Sequence, residues 1–370
     1  MRTKNLTGIR GLGMQGFGIA VLALAVVGAV LLRPSAPAAQ RGAVADGVTA
    51  RAVVAAQAFL GTLDSHQRAR AQIALTPAAR QIWSNLPTGI AMQVGATARN
   101  GVKLGELNAE QQRAMLSLVA AVLSPAGYQK ALDIVMADEA LELTSAPTRP
   151  AGNAVKFGRA EYYAAILGTP STTSLWMLQF GGHHLALNVT LASGTNVLTP
   201  SHVGTQPAVY SLEGRTVRPL GDELDKGLAL MASLTPNEQK QATLGYRVAD
   251  TVLGAGQDGK VIQPEGLRAA ALTPAQRAQL LDLMDEWIGM LGDSQAAARR
   301  AAVQANIAET WFAWSGPTTR EGGAYFRIQG PTVIIEYAPQ ASRDGNGLPN
   351  HIHTIYRDPT NDYGARLAAR

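Results

Sequence analysis

The sequence contains no cysteine among its 370 residues. This absence excludes a disulfide framework, a thiolate metal site, an iron–sulfur cluster and a cysteine nucleophile. Any metal ion must therefore be held by histidine, carboxylate, carbonyl or tyrosine groups, and any nucleophile must be an oxygen or a nitrogen. Aromatic residues are also sparse, at 5%, while 46% of the residues are hydrophobic. A chain of this length and hydrophobic content is globular and holds either one large domain or two.

The common catalytic signatures are missing as well. The sequence has no G-x-S-x-G nucleophile turn, no Walker A loop, no H-E-x-x-H pair, no S-x-x-K motif, and no G-x-G-x-x-G at a strand–helix junction. These absences leave serine-hydrolase and nucleotide-binding functions without support.

Acidic residues are absent from the first 39 residues, where Arg2, Lys4, Arg10 and Arg33 lie. Without these four, 28 of the 32 basic residues remain against 27 acidic ones. Residues 40–370 are therefore nearly neutral and lack the excess of positive charge that is typical of nucleic-acid-binding proteins. We therefore expect an unknown small-molecule substrate or ligand as the partner, and no nucleic acid.

Residues 1–39 have the pattern of a signal peptide. The basic leader is followed by an uninterrupted apolar and glycine run from Phe17 to Leu32, and then by a proline and small residues. This pattern predicts a periplasmic or secreted protein, with cleavage before Gln40 and no membrane partner afterwards. The alternative is an uncleaved anchor, because residues 12–32 nearly reach the length of a bilayer span.

The body begins with residues 40–49, whose alanine and glycine content predicts a short linker. Leu-Thr-Pro sequences begin at residues 75, 234 and 272, and Leu107-Asn108 is a variant of them. Thr or Asn can cap a helix there, with proline at its first position. Their irregular spacing favours helix starts over an internal repeat. Periodicity predicts helices at 50–63, 77–86, 109–123, 127–142, 222–233, 236–249 and 274–314, the last with a break near Gly292.

Two blocks of short strands lie in the centre and at the C-terminus. Alternating and β-branched residues with glycine turns predict strands at 176–180, 183–191, 195–198, 324–329, 332–338 and 350–356. Joining both blocks into one sheet buries the most apolar surface. The prediction is a single α+β domain over residues 50–370, in which an antiparallel sheet of central and C-terminal strands packs against helices from the N-terminal and middle regions.

Five of the six histidines lie in these two blocks or just after them: His183, His184, His202, His351 and His353. Residues two apart in a strand share a face, so His351 and His353 can direct two imidazoles to one metal ion. His183 and His184 should point to opposite faces of a regular strand. We choose His184 as the third ligand, because its face carries the polar Asn188 and Thr190.

Glu336 lies in a β-branched strand and is the expected carboxylate companion of these histidines. A buried carboxylate needs a partner, which here is a metal ion, Arg327 or Arg357. Two imidazoles and a carboxylate around an ion with open positions are typical of non-haem iron and catalytic zinc sites. The residue types leave Fe, Zn, Mn or Cu open. The alternative is an ion pair between Glu336 and Arg327, with the histidines only hydrogen-bonded.

Several stretches resemble one uncharacterised family, the domain of unknown function 3500. The most specific are W-M-L-Q-F-G-G-H-H-L-A-L-N-V-T at 176–190 and H-I-H-T-I-Y-R-D-P-T-N-D-Y-G at 351–364, supported by 199–208, 264–266, 312–317 and 325–337. The resemblance runs from roughly residue 50 to the end. It implies one full-length domain in an exported bacterial protein, and it implies no particular activity.

Two functions follow from these patterns. The first is an exported metalloenzyme, hydrolytic or oxidative, in which His184, His351 and His353 hold the ion. Glu336 would then be a fourth ligand or general base, and Arg327 or Arg357 would bind a substrate oxygen. The second is a non-catalytic periplasmic binding or structural protein with a buried network of histidine, arginine and glutamate.

Overall fold

A computed structural model describes residues 38–89, 99–150 and 154–368. Residues 1–37, which hold almost all of the predicted signal peptide, lie outside this range. Within the described range, every helix is too short or too polar to cross a bilayer.

The helices of the described residues mostly begin where the capping signals predict. Asn108, Thr235 and Thr273 each accept a hydrogen bond from the third residue of the helix, whose side chain bonds back to the cap. The helices are α1 (Ala38–Thr62), α2 (Ser65–Ala71), α3 (Pro77–Arg80), α4 (Ala109–Val122), α5 (Pro125–Ser145), α6 (Gly221–Ser233), α7 (Pro236–Ala242), α8 (Pro274–Ile288), α9 (Asp293–Ala305) and α10 (Ala365–Ala368).

Four helix boundaries differ from the prediction by more than three residues. The predicted 77–86 helix ends at Arg80. Residues 40–49, predicted as a linker, belong to α1, whose alanine content favours a helix and whose Val48 and Thr49 are buried. Helix α7 ends at Ala242 because Thr243 forms a β-bridge with Trp314. The predicted 274–314 helix ends at Ala305, and the aromatic residues after it form a strand instead, as their β-propensity favours.

The strands form one twelve-stranded sheet and a separate hairpin within the described residues. They are β1 (Gln72–Ile73), β2 (Val102–Lys103), β3 (Tyr163–Leu167), β4 (Trp176–Gly182), β5 (Leu185–Ala192), β6 (Thr195–Val197), β7 (Ser201–Val203), β8 (Tyr210–Leu212), β9 (Arg215–Val217), β10 (Leu267–Arg268), β11 (Trp311–Ser315), β12 (Tyr325–Gly330), β13 (Val333–Pro339) and β14 (Ile352–Arg357). The main order is β1-β3-β4-β5-β7-β14-β13-β12-β11-β10, with β2 beside β3 and β6 beside β5.

The central and C-terminal strand blocks therefore share one sheet, as the sequence predicts. They meet where β7 pairs with β14, in the register Ile355 to His202 and Tyr356 to Ser201. All pairings are antiparallel except that of β1 with β3. The predicted α+β class is confirmed.

The two halves of the sheet repeat one order of elements, which the spacing of the helix caps did not reveal. Each half has a short strand, a long helix pair and then three antiparallel strands: β2, α4, α5, β3, β4 and β5 in the first, and β10, α8, α9, β11, β12 and β13 in the second. Val102 pairs with Ala164 as Leu267 pairs with Phe312. Asn108 and Thr273 are the equivalent caps, since they begin the first long helix of each half.

The two faces of the sheet have different environments. One face packs against the helices in the main core, which includes Phe326, Ile335 and Tyr356. The other face is covered by loops and a smaller cluster that includes Leu253 and Ile355. Polar groups lie on this loop-covered face, and they form the candidate site.

Candidate metal centre

His183 and His184 form the two-residue turn between β4 and β5. His184 has a φ of 65°, in the left-handed region that is uncommon for residues other than glycine. The prediction that a strand begins at His183 and separates the two side chains is therefore wrong. The turn brings the two rings together, with centroids 3.6 Å apart. Gly182 is required before them, because a Cβ there would lie 2.8 Å from the Tyr162 ring.

The C-terminal histidines meet this turn across the sheet. His351 lies just before β14 and His353 lies on it, and their Nε2 atoms are 3.0 Å apart. The Nε2 of His351 is also 2.7 Å from the Nε2 of His184. The structure thus brings together the three histidines that the sequence selected, with His351 in the middle.

Two carboxylates orient the rings of His353 and His183. Asp250 Oδ1 lies 2.9 Å from His353 Nδ1, and Asp138 Oδ1 lies 2.6 Å from His183 Nδ1. An ionised carboxylate only accepts hydrogen bonds, so Nδ1 of each ring carries the hydrogen. The Nε2 lone pair of each ring is then left available to a ligand. Sequence reasoning did not select either aspartate, because they lie 45 and 103 residues from their histidines.

Burial disfavours the charged form of His183, His184 and His351. Loss of hydration lowers the pKa of His183 and, together with the other histidines, holds the pKa of His184 well below its usual value. The same two causes lower the pKa of His351 to about 3. Burial raises the pKa of Asp250, but the hydrogen bond and charge of His353, the Thr251 N–H and the charge of His202 together outweigh burial, so that the pKa is lowered. Rings whose charged form is disfavoured, close to a carboxylate whose charged form is favoured, suit the binding of a cation.

The structure places Glu336 outside the contacts of the histidines. Its two oxygens accept hydrogen bonds from the Tyr325 hydroxyl at 2.6 Å and from the backbone N–H groups of Val252 and Leu253 at 2.8–3.1 Å. Burial is the main cause of the raised pKa of Glu336. Among the described residues this carboxylate therefore holds the loop that follows Asp250.

The two predicted arginines also have structural partners. Arg327 lies opposite Glu336 in the β12–β13 register, and its Nη2 forms an ion pair of 2.9 Å with Glu265. The contacts of Arg357 are to the Leu253 and Gly254 carbonyls at 2.8 and 3.1 Å and to the Asp258 and Asp362 carboxylates at 2.9 Å each. Arg357 therefore fixes the same loop as Glu336 does.

A cleft of about 640 Å³ reaches His353 from the loop-covered side. His353 and Asp250 line it, together with Ser84, Asn85 and Lys260. His353 is 8% exposed, and the Asp250 side chain is half exposed. A small molecule in this cleft would contact His353 and Asp250 directly.

One nitrogen from each of His183, His184 and His351 lies within 4.8 Å of the other two, so this group can hold a metal ion. His353 extends it through its contact with His351. No curated protein and no solved structure matches the chain. The family model described as protein of unknown function (DUF3500) matches residues 45–365. The match covers nearly the whole chain, including every histidine of the cluster, and the chain therefore belongs to the DUF3500 family.

Proposed function

We propose that this chain is an exported metal-dependent enzyme that holds a divalent transition metal ion through Nε2 of His184, His351 and His353. The observation that carries the proposal is the pair of short contacts at one atom, His351 Nε2. A ring nitrogen has either one hydrogen or one in-plane lone pair, so it makes one well-aligned hydrogen bond. A cation accepts all three lone pairs at once.

Two of the three nitrogen separations agree with this proposal. Metal–nitrogen bonds of about 2.0–2.1 Å place ligand nitrogens about 2.9–3.4 Å apart, for angles between the octahedral and tetrahedral values. The observed separations of 2.7 and 3.0 Å lie close to the lower end of this range. His183 stacks on His184 and is held by Asp138, so in this proposal it supports the position of His184.

The cleft gives this ion access to a substrate. A bound ion would polarise a substrate carbonyl, lower the pKa of a bound water or activate oxygen, so hydrolysis and oxidation both remain within the proposal. Asp250 is the carboxylate that faces the cleft, and Lys260 places a positive charge on its rim. The substrate class that fits is a small polar molecule.

The decisive experiment is elemental analysis of the purified protein, before and after chelation. We expect about one equivalent of Fe, Zn, Mn or Cu, and a loss of thermal stability when the metal is removed. His66→Ala is the matched control, because His66 is exposed on α2 and lies outside the two strand blocks. A metal-free protein with unchanged stability after chelation would favour the alternative, a non-catalytic binding protein with a hydrogen-bonded histidine network.

Replacement of Asp250 by asparagine is expected to weaken metal binding by about 10–100-fold, because His353 loses the carboxylate that orients its ring. The measurement is competition with a chelator of known affinity. Glu110→Gln is the control, since it removes an exposed carboxylate on α4. If the Asp250→Asn protein bound metal as tightly as the wild type, Asp250 would have no part in positioning the ligand.

Export is a separate part of the proposal, and it is supported by the basic leader and the apolar run of residues 17–32. Cell fractionation followed by N-terminal sequencing is expected to find the mature protein outside the cytoplasm, beginning near Gln40. A full-length protein in the cytosol would contradict this expectation and leave the metal site unaffected.

A further inference from the structure

His202 is a buried histidine whose polar ring atoms have no hydrogen bonds among the described residues to offset the cost of burial. It lies on β7 with an exposed fraction of 0%, and neither ring nitrogen has a hydrogen-bond partner within the described part of the chain. Buried polar side chains normally have a partner, and an exception points to a water, an ion or a functional role. The sequence contains no local signal that separates His202 from the other histidines.

The repeat within the sheet supplies a comparison for this position. His202 pairs with Ala186, the second residue of β5, and Arg357 pairs with Ile334, the second residue of β13. The two side chains therefore occupy equivalent positions in the two halves, on the same face of the sheet. Every side-chain nitrogen of Arg357 has a partner, whereas both nitrogens of His202 lack one among the described residues. The contrast leaves both His202 nitrogens available to a ligand.

The His202 ring lies next to one of the proposed ligands, His353. Its centroid is 5.1 Å from that of His353, and the His184–His353 and His184–His351 centroids are 5.3 and 4.6 Å apart. Rings that bind one ion through Nε2 have centroids roughly 3.2 Å from the ion, and hence about 4.5–5.2 Å from one another. Gly204 leaves space between the rings, since a Cβ there would lie 3.2 Å from His202 Nε2 and 3.3 Å from His184 Cδ2.

We propose that His202 is a fourth imidazole ligand of the same ion, next to His184, His351 and His353. This inference rests on the proposed function. All four proposed ligands are then imidazole nitrogens. The carboxylates of Asp250 and Asp138 do not bind the ion but orient the rings of His353 and His183. Such a ligand set favours Cu²⁺ and Zn²⁺ over ions that prefer oxygen ligands, such as Mg²⁺ and Ca²⁺.

The test is His202→Leu in the full-length protein, loaded with Cu²⁺ or Zn²⁺. We expect the variant to keep one bound ion and to bind it more than about ten-fold more weakly in chelator competition. In the Cu²⁺ electron paramagnetic resonance spectrum, the nitrogen splitting should change from that of four imidazoles to that of three. The His66→Ala protein should retain the wild-type spectrum and affinity.

A second measurement, thermal stability without metal, distinguishes a ligand role of His202 from a structural one. Without metal, His202→Leu should be at least as stable to heat as the wild type, because leucine removes an unpaired buried polar group. If the variant kept both the nitrogen splitting and the affinity, His202 would not be a ligand, and the site of His184, His351 and His353 would stand. Wild-type protein that binds Fe or Mn but neither Cu²⁺ nor Zn²⁺ would overturn this inference and leave the proposed function standing. Protein that binds none of these four metals would overturn both.

Discussion

Replacement of His351 by alanine is expected to leave a folded protein that has lost at least nine-tenths of its metal. The reason is that the loss of a direct ligand lowers metal affinity by about ten-fold or more. His351 Nε2 is the atom that contacts both His184 and His353, so its removal separates the remaining two nitrogens. The side chain is only half-buried, and its loss should cost little stability. The measurements are elemental analysis and circular dichroism of the purified variant.

The control for this variant is again His66→Ala, which removes an imidazole from the exposed face of α2. It should keep the wild-type metal content. Retention of stoichiometric metal by the His351→Ala protein would show that the ion, if present, is bound elsewhere. Loss of metal with loss of helical signal would instead indicate a structural role for His351.

Replacement of Arg357 by methionine is expected to lower the free energy of unfolding by about 3–5 kcal/mol, because it removes a buried charge that is paired with two partly buried carboxylates. Arg357 is 4% exposed and contacts Asp258 and Asp362 at 2.9 Å each. It also donates hydrogen bonds to the carbonyls of Leu253 and Gly254, which methionine cannot replace. Chemical denaturation followed by tryptophan fluorescence measures the change.

The Arg357→Met variant should also bind metal more weakly, because the loop that Arg357 holds carries Asp250. Arg113→Met is the matched control, since Arg113 is exposed on α4 and its loss should change stability by less than about 0.5 kcal/mol. A denaturation midpoint for Arg357→Met equal to that of the wild type would contradict the structural role described above. The role of Arg357 as a group that binds substrate would then regain support.

The fold could be predicted to a large extent from local signals. The caps at Asn108, Thr235 and Thr273 act within one helical turn, so the sequence around them suffices to place the helix starts. Alternation and β-branching predicted most of the long strands for a similar reason, since each depends on neighbouring residues. The repeat of the two halves was not predicted, because it is expressed in strand register and not in the spacing of similar residues.

The site was predicted in part. The H-x-H pair at 351 and 353 can be recognised because alternation in a strand is a local rule, and the structure brings both rings to His184. The adjacent His183 and His184 could not be placed correctly, because the turn between β4 and β5 overrides strand alternation. Glu336 could be recognised as a buried carboxylate, but its partners are backbone groups of a loop more than 80 residues away.

The sequence by itself determined the absence of thiolate chemistry, the α+β class, the helix starts and the concentration of histidines in two strand blocks. Only the tertiary structure decided which groups surround those histidines. Asp138 lies on helix α5, Asp250 in a loop and His202 on strand β7, and only the packing of these distant segments brings them to the histidines. Helix caps and strand alternation depend on residues a few positions apart, whereas a metal centre depends on contacts set by the packing of the whole sheet.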